Sequence, residues 1–169
     1  MSASHLNQIA AFARGLNGHI EKTMQSTFNR SLSELTALVS IQNCDQFHIG
    51  WLAETLSVEH SSAVRVADRL ERDGLISRLT KDSQKKVGLK ITESGSTLAE
   101  SILAVREQAT KNYLAPLGAK QQVAVAEIIQ LVIKAQTQTE VSLYQHCALC
   151  NESVCTKCPA GSDASSSIQ

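Results

Sequence analysis

The chain has 169 residues, of which 43% are hydrophobic and 4% are aromatic, and its formal net charge is zero. This length suits one domain with a moderate core, or one domain with an appendage, and the hydrophobic content excludes a wholly disordered chain. So few aromatic residues argue against a surface that stacks single-stranded nucleic acid, whereas reading a duplex needs no such surface.

A neutral chain is not a typical nucleic-acid binder, but the distribution of charge matters more than its sum. Residues 57–92 carry eight basic and five acidic side chains, so this segment has a net charge of +3 and the remainder has −3. No amino-terminal signal and no apolar run of about 18 residues is present, so we expect a cytoplasmic protein with no membrane segment.

The first 30 residues predict an amphipathic helix, which we assign to dimerisation. Its apolar positions recur at helical intervals, at Leu6, Ile9, Ala10, Ala13, Leu16 and Ile20. A second helix follows from Leu32 to about Ile41, with Ser31 or Ser33 as its cap. Residues 43–47 are expected to form a loop.

Residues 49–72 predict two helices joined by a tight turn at Ser57 and Val58. In the second helix a buried stripe is expected, because four apolar residues share one face: Ala63, Val66, Ala67 and Leu70. Hydroxyl and guanidinium groups lie off that stripe, at Ser61, Ser62, Arg65 and Arg69. This arrangement is typical of a helix-turn-helix whose second helix enters the DNA major groove.

A two-stranded wing is predicted after Gly74, which tolerates the positive φ needed to end the second helix. Leu75, Ile76 and Leu79 lead into one strand, and Val87, Leu89 and Ile91 alternate along the other. Between them lies a polar tip, where basic side chains are placed to meet the DNA backbone or minor groove: Lys81, Lys85 and Lys86.

At these residues the sequence resembles the multiple-antibiotic-resistance regulator (MarR) family of bacterial transcription factors. The resemblance is carried by LAETLSVEHSSAVRVADRLERDGLI and by ITESG, which matches the family's exit from the wing. It implies a mainly α fold with a small β-wing, a winged helix-turn-helix at 31–95, a homodimer and a palindromic operator in double-stranded DNA.

The resemblance also implies a small-molecule effector in the cleft between the dimerisation helices and the winged domain, where Phe12 and Trp51 are guesses for the lining. The sequence departs from the family at the wing tip. The usual Asp-Arg-Arg reads Ser83-Gln84-Lys85 here, so base preference is not carried over.

Residues 96–145 predict long apolar helices with more apolar surface than a lone surface helix needs. Thr92 is expected to cap the first, and Pro116 with Gly118 to close it; the second is carried by Val123, Ala126, Ile128, Ile129, Leu131 and Val132. A second copy of the chain would cover them, because operator readers commonly pair about a two-fold axis. The alternative is that they only cover the winged domain.

Residues 146–159 contain four cysteines in two C-x-x-C pairs, at Cys147, Cys150, Cys155 and Cys158. Four thiolates suit zinc, which is our first interpretation, or an iron-sulfur cluster; a metal-free thiol switch is the third. His146 is an alternative metal ligand in place of one of the four cysteines. Cys44 is interpreted as an ordinary small residue. Residues 160–169 are small and polar and are expected to be disordered.

No nucleophile elbow, phosphate loop or HExxH motif occurs in the sequence, so an enzyme is not expected. We therefore predict a dimeric DNA-binding transcriptional regulator that responds to a small ligand, a metal or a redox signal. A repressor is our first interpretation. The alternative is a metal-binding or electron-transfer protein in which the winged fold serves as a protein-interaction module.

Overall fold

A computed structural model describes residues 1–44, 47–79, 88–137 and 139–154 of the chain. Within these residues seven helices flank one small antiparallel sheet, and none of the helices is long and apolar enough to cross a membrane. In chain order the elements are α1 (Ala3–Phe28), α2 (Leu32–Gln42), α3 (Ile49–Leu56), α4 (His60–Arg72), β1 (Ile76–Leu79), β2 (Gly88–Ile91), α5 (Glu93–Leu114), α6 (Ala119–Gln136) and α7 (Glu140–Cys147).

Helix α2 lies at the centre of the core and begins with a reciprocal cap. The Glu34 amide donates to the Ser31 hydroxyl at 3.3 Å, and the Ser31 amide donates to the Glu34 carboxylate at 3.0 Å. Ser31 and not Ser33 is therefore the cap. Two groups left unpaired at a helix start are satisfied together in this way, which fixes where α2 begins.

The predicted helix-turn-helix is confirmed as α3 and α4. Ser57 ends α3 in the left-handed region, with φ of 52°, and this reverses the chain within a few residues. Ala63 and Ala67 are fully buried in α4, and their small side chains let the two helices approach closely. The predicted stripe, with Val66 and Leu70, is the buried face of α4.

The wing strands pair in antiparallel register, with Ile76 opposite Ile91 and Leu79 opposite Gly88. Val87 and the wing tip at 80–87 lie outside the described residues. A third segment joins the sheet, because the Leu89 amide donates to the Phe47 carbonyl at 2.7 Å. The wing is thus tied to the chain just before α3.

Helix α5 begins at Glu93, and the Thr92 hydroxyl accepts from the Gly95 amide at 3.1 Å, as predicted. A β-carbon on Gly95 would collide with the Leu75 carbonyl oxygen. Glycine is needed there because α5 passes directly over the backbone that leads into β1.

The carboxy-terminal helices differ from the sequence-based prediction in one respect. Helix α6 ends at its cap residue Thr137, and a separate short helix, α7, follows with Thr139 as its cap. The sequence analysis did not predict α7. Its last residue is Cys147, so the cysteine-containing segment begins inside a helix and not in a loop.

Candidate DNA interface and ligand cleft

The outward face of α4 carries hydroxyl and guanidinium groups, as predicted. Ser61 and Arg65 are exposed and share this face with Asp68 and Arg72, while Ser62 is only half-exposed. Arg65 forms no ion pair with any described residue, so its guanidinium is available to a phosphate or a base edge. The sequence analysis omitted Arg72, although its helical spacing from Ser61 and Arg65 places it on the same face.

Arg69 also lies off the buried stripe, but its side chain is engaged with α2. Its Nε donates to the Glu34 carboxylate at 2.8 Å, and that carboxylate side chain is only 11% exposed. Burial raises the pKa of Glu34, but hydrogen bonds from Ser31 and Arg69 outweigh that effect, and the net pKa lies below its usual value. A DNA contact by Arg69 stays a prediction, and its observed role is to hold α4 against α2.

Arg78 of β1 neutralises the acidic side chains of α4. Its two terminal nitrogens donate to Asp68 at 2.6 Å and to Glu71 at 2.9 Å. Both carboxylates would otherwise repel a phosphate backbone. The pairing leaves the exposed face of α4 more positive than its sequence suggests, because the compensating charge comes from the wing.

The three lysines predicted for the wing tip, Lys81, Lys85 and Lys86, lie outside the described residues. Their contacts with the DNA backbone or minor groove therefore stay predictions.

Two of the four predicted metal ligands can be located. Cys147 ends α7, and Cys150 follows in a turn in which its amide donates to the Cys147 carbonyl at 2.8 Å. Cys155 and Cys158 lie outside the described residues. Within the described part of the chain no group of three or more His, Cys, Asp or Glu side chains is arranged to hold a metal ion. The four-thiolate site stays a prediction.

Residues 139–151, which we call the carboxy-terminal segment, fold back onto the winged helix-turn-helix at 31–95, which we call the winged body. The Asn43 amide nitrogen donates to the Cys150 carbonyl at 2.9 Å, and the Ser40 hydroxyl donates to the Ala148 carbonyl at 3.0 Å. Leu149 packs against the hydrophobic core. These contacts fix the first C-x-x-C pair beside α2.

A cavity of about 380 Å³, which we call the cleft, separates the long helices from the winged body. It is lined by α1, α2, α3, α5 and the carboxy-terminal segment, through Asn17, Ile20, Glu21, Leu32, Ser33, Thr36, Thr55, Leu56, Arg106, Gln145, His146, Ala148, Leu149 and Cys150. Thr55 is only 6% exposed, and its buried hydroxyl has no hydrogen-bonding partner in the described structure.

The guess that Phe12 and Trp51 line the cleft is wrong. Phe12 pairs with Tyr113, with ring centroids 5.9 Å apart, and Trp51 stacks on His48 at 4.3 Å. Each aromatic ring is therefore engaged with another ring near its own helix. The cleft combines aliphatic side chains with uncharged polar ones, the cation of Arg106 and the carboxylate of Glu21.

Helix α6 has no buried residue. Its large apolar side chains are 41–72% exposed, at Val123, Ile128, Ile129, Leu131 and Val132. Leu6 and Ile9 of α1 are exposed as well. An apolar surface of this extent on one helix is typical of an interface with another molecule.

The chain is similar to known proteins both in sequence and in structure. Residues 31–87 match the MarR family model. The HTH-type transcriptional repressor MdtR of Bacillus subtilis (strain 168) is 29% identical over 110 residues, which are 64% of this chain and 70% of that protein. The YusO protein of Bacillus subtilis is 25% identical, with a TM-score of 0.62 over 80% of this chain and 99% of that one.

Two further solved structures carry bound molecules. A MarR mutant from E. coli complexed with operator DNA superposes with a TM-score of 0.58 at 19% identity, over 77% of this chain and 94% of that one. The MarR family protein Rv2887 of Mycobacterium tuberculosis, in complex with salicylic acid, has a TM-score of 0.62 at 22% identity, over 78% and 96%. These likenesses confirm the mainly helical winged helix-turn-helix fold.

Proposed function

We propose that this chain is a MarR family winged-helix protein and a dimeric transcriptional regulator that binds a palindromic operator. The family match, the MdtR relative and the solved structures support this proposal. The observation that carries the proposal is the outward face of α4, where Ser61 and Arg65 are exposed and Arg78 neutralises the nearby carboxylates. MarR family members are transcription regulators and not enzymes, which agrees with the absence of catalytic motifs in the sequence.

The geometry of the helix-turn-helix supports operator contact by the outward face of α4. Ser61 and Arg65 meet base edges in the major groove, Arg72 meets a phosphate, and Ser62 and Arg69 lie at the flank of the contact. Lys81, Lys85 and Lys86 supply backbone or minor-groove contacts from the wing. The operator complex of the E. coli mutant supports this mode of binding for proteins of this fold. Repression is the favoured outcome because MdtR is named a repressor.

Dimerisation is supported by the exposed apolar face of α6. Covering Ile128, Leu131 and their neighbours with the same residues of a second copy would remove a large apolar area from water at about 25 cal/mol per Å². A two-fold pair also presents two copies of α4 to the two halves of a palindrome. The alternative, that these helices only cover their own winged body, leaves this apolar face in water.

A small effector with an anionic group suits the cleft. Arg106 forms no ion pair with a described residue, and Ile20, Leu32, Leu56 and Leu149 supply apolar contacts. The salicylic acid complex of the Mycobacterium tuberculosis protein supports a ligand of this kind. The cysteines at 147, 150, 155 and 158 add a zinc site, with an iron-sulfur cluster or a thiol switch as alternatives, because four thiolates suit each of these. The comparisons do not favour an electron-transfer protein.

The test begins with selection of duplexes from a random-sequence pool by the purified full chain. We expect a palindromic site whose affinity falls steeply with salt, because lysines and arginines release counterions from the phosphates. Lengthening the spacer between the half-sites by half a turn, about five base pairs, should abolish tight binding, whereas a full turn of about ten should restore part of it.

Selection of no duplex, or binding that is insensitive to both spacers, would contradict a dimeric operator reader. Size measurement of the free protein by light scattering accompanies the selection, so that loss of the dimer is separated from loss of DNA contact.

A further inference from the structure

The carboxy-terminal segment touches two functional regions at once. Five of the residues that line the cleft belong to it: Gln145, His146, Ala148, Leu149 and Cys150. The Gln145 amide nitrogen also donates to the Ser57 hydroxyl at 3.1 Å and approaches the Glu54 carbonyl at 3.4 Å. Ser57 is the left-handed residue that forms the turn of the helix-turn-helix.

We infer that the carboxy-terminal segment is a wall of the cleft that determines ligand affinity and transmits ligand binding directly to the turn between α3 and α4. The inference rests on the proposed function and adds the regulation of the same cleft. The route lies within one chain, through Gln145 and Ser57, and does not pass through the dimer interface.

The cleft has a polar group that points to a ligand. Thr55 lines the cavity and is only 6% exposed, and its buried hydroxyl has no hydrogen-bonding partner in the described structure. A buried hydroxyl without a partner is costly, so a ligand that hydrogen-bonds to it gains affinity. Thr55 belongs to α3 and lies between Glu54 and Ser57, so the ligand contact and the segment contact fall on the same short helix.

The wall is joined to the winged body at two places. The Asn43 and Ser40 side chains donate to the Cys150 and Ala148 carbonyls, and the Gln145 side chain donates to Ser57 and Glu54. Leu149 supplies apolar packing between them. A ligand that fills the cleft pushes or pulls on Gln145 through its neighbours at 146–149. Because a ligand shifts an equilibrium only by its differential affinity for two arrangements, the docked and undocked segment are the two arrangements here.

Both sides of the segment are tested with separate variants. Asn43→Ala removes the donor to the Cys150 carbonyl and loosens the wall. Gln145→Ala removes the link to Ser57 and leaves Asn43, Ser40 and Leu149 in place. Gln108→Ala is the matched control, because Gln108 is an exposed helical glutamine whose side chain donates to Asn112 of its own helix, its one hydrogen bond to a described residue.

The measurements use the full-length chain, sodium salicylate as the probe and an operator duplex obtained by selection. Titration calorimetry gives the salicylate affinity, and fluorescence anisotropy gives the operator affinity with and without saturating salicylate. Circular dichroism confirms that each variant is folded. Hydrogen exchange of peptides covering residues 139–151 reports docking of the segment.

We expect salicylate to bind wild type and to lower operator affinity by about five- to 150-fold, the usual range of coupling between two sites. Asn43→Ala should speed exchange in residues 139–151 and weaken salicylate binding by about three- to ten-fold, the loss of roughly one hydrogen bond. At saturating salicylate, Gln145→Ala should lose most of the effect of salicylate on operator affinity, and its salicylate affinity is measured separately because Gln145 also lines the cleft. Gln108→Ala should match wild type.

Salicylate binding and coupling that are unchanged in both variants would overturn the inference, and so would a wild type that does not bind salicylate. If no operator is selected at all, the proposed function fails, but the calorimetry and hydrogen exchange of Asn43→Ala still decide whether the segment is a wall of the cleft.

Discussion

Helices α2 and α6 are both rich in aliphatic residues, yet they lie in opposite environments. Eight of the 11 residues of α2 are buried, whereas none of the 18 residues of α6 is. Elements of the same chain surround α2, while α6 presents Ile128 and Leu131 to solvent. Apolar content therefore identifies a surface that needs covering but not the molecule that covers it. For α2 the cover is the chain itself, and for α6 we propose a second copy.

The largest expected effect contrasts one leucine from each helix. Leu38→Ala should lower the free energy of unfolding by about 2 to 5 kcal/mol, because Leu38 is 1% exposed and its loss leaves a cavity. Leu131→Ala, at 72% exposure, should change the unfolding of the isolated subunit by less than about 0.5 kcal/mol. Urea unfolding at micromolar and much lower protein concentration measures both. Equal losses in the dilute protein would contradict the contrast.

A charge on the exposed face of α6 should act on association and not on folding. The double substitution Ile128→Asp and Leu131→Asp should raise the dimer dissociation constant by at least about 100-fold, or roughly 3 kcal/mol, because two carboxylates would be buried without partners. Sedimentation velocity across a dilution series measures the change. The exposed Glu100→Asp on α5 serves as the control, and dimers that persist in the double variant would show that α6 is not the interface.

Two arginines of α4 should separate contact with DNA from support of the fold. Arg65→Ala should cost about 1 to 3 kcal/mol of operator binding with little change in melting temperature, because its guanidinium is exposed. Arg69→Ala should instead lower stability by about 1 kcal/mol, because it leaves the mostly buried Glu34 carboxylate without its cation. Anisotropy and thermal melts are run on both variants, and a reversed pattern would reassign the groove face.

The smallest expected effect is a pH dependence at the start of α2. The pKa of Glu34 is lowered in the folded chain, so its stabilising contribution is present above the unfolded pKa of about 4.3 and is lost as the pH falls through the folded value. Glu34→Gln should therefore flatten the fall in stability between about pH 5 and the folded pKa. Urea midpoints at stepped pH test this, with Glu100→Gln at an exposed position of α5 as the matched substitution.

Local sequence patterns were enough to predict the helix-turn-helix, the wing strands and the cap at Thr92, and they narrowed the α2 cap to Ser31 or Ser33. Each depends on residues within a few positions, whose spacing follows from helix and strand geometry. The docking of the carboxy-terminal segment was not predictable, because Asn43 and Cys150 are separated by 107 positions and no local pattern pairs them. The position of Phe12 was not predictable for a similar reason, because its ring partner Tyr113 lies on α5 and no local pattern pairs the two.

Arg69 and Arg78 show why a charge on α4 cannot be assigned from periodicity alone. Spacing placed Arg69 off the apolar stripe correctly, but its counter-ion lies on α2 and that of Asp68 lies on β1. The electrostatic character of the groove face is therefore set by elements that meet only in the folded chain.

The amino-terminal helix has a kinetic consequence. At 26 residues α1 is about 39 Å long, at 1.5 Å per residue, yet Met24 near its end is its only buried residue. Its first turns gain little from their own subunit, so in the proposed dimer they should fray when the subunits separate and reform when two subunits meet. Exchange of labelled subunits should consequently be slow and rise steeply with temperature, because each dissociation includes partial unfolding.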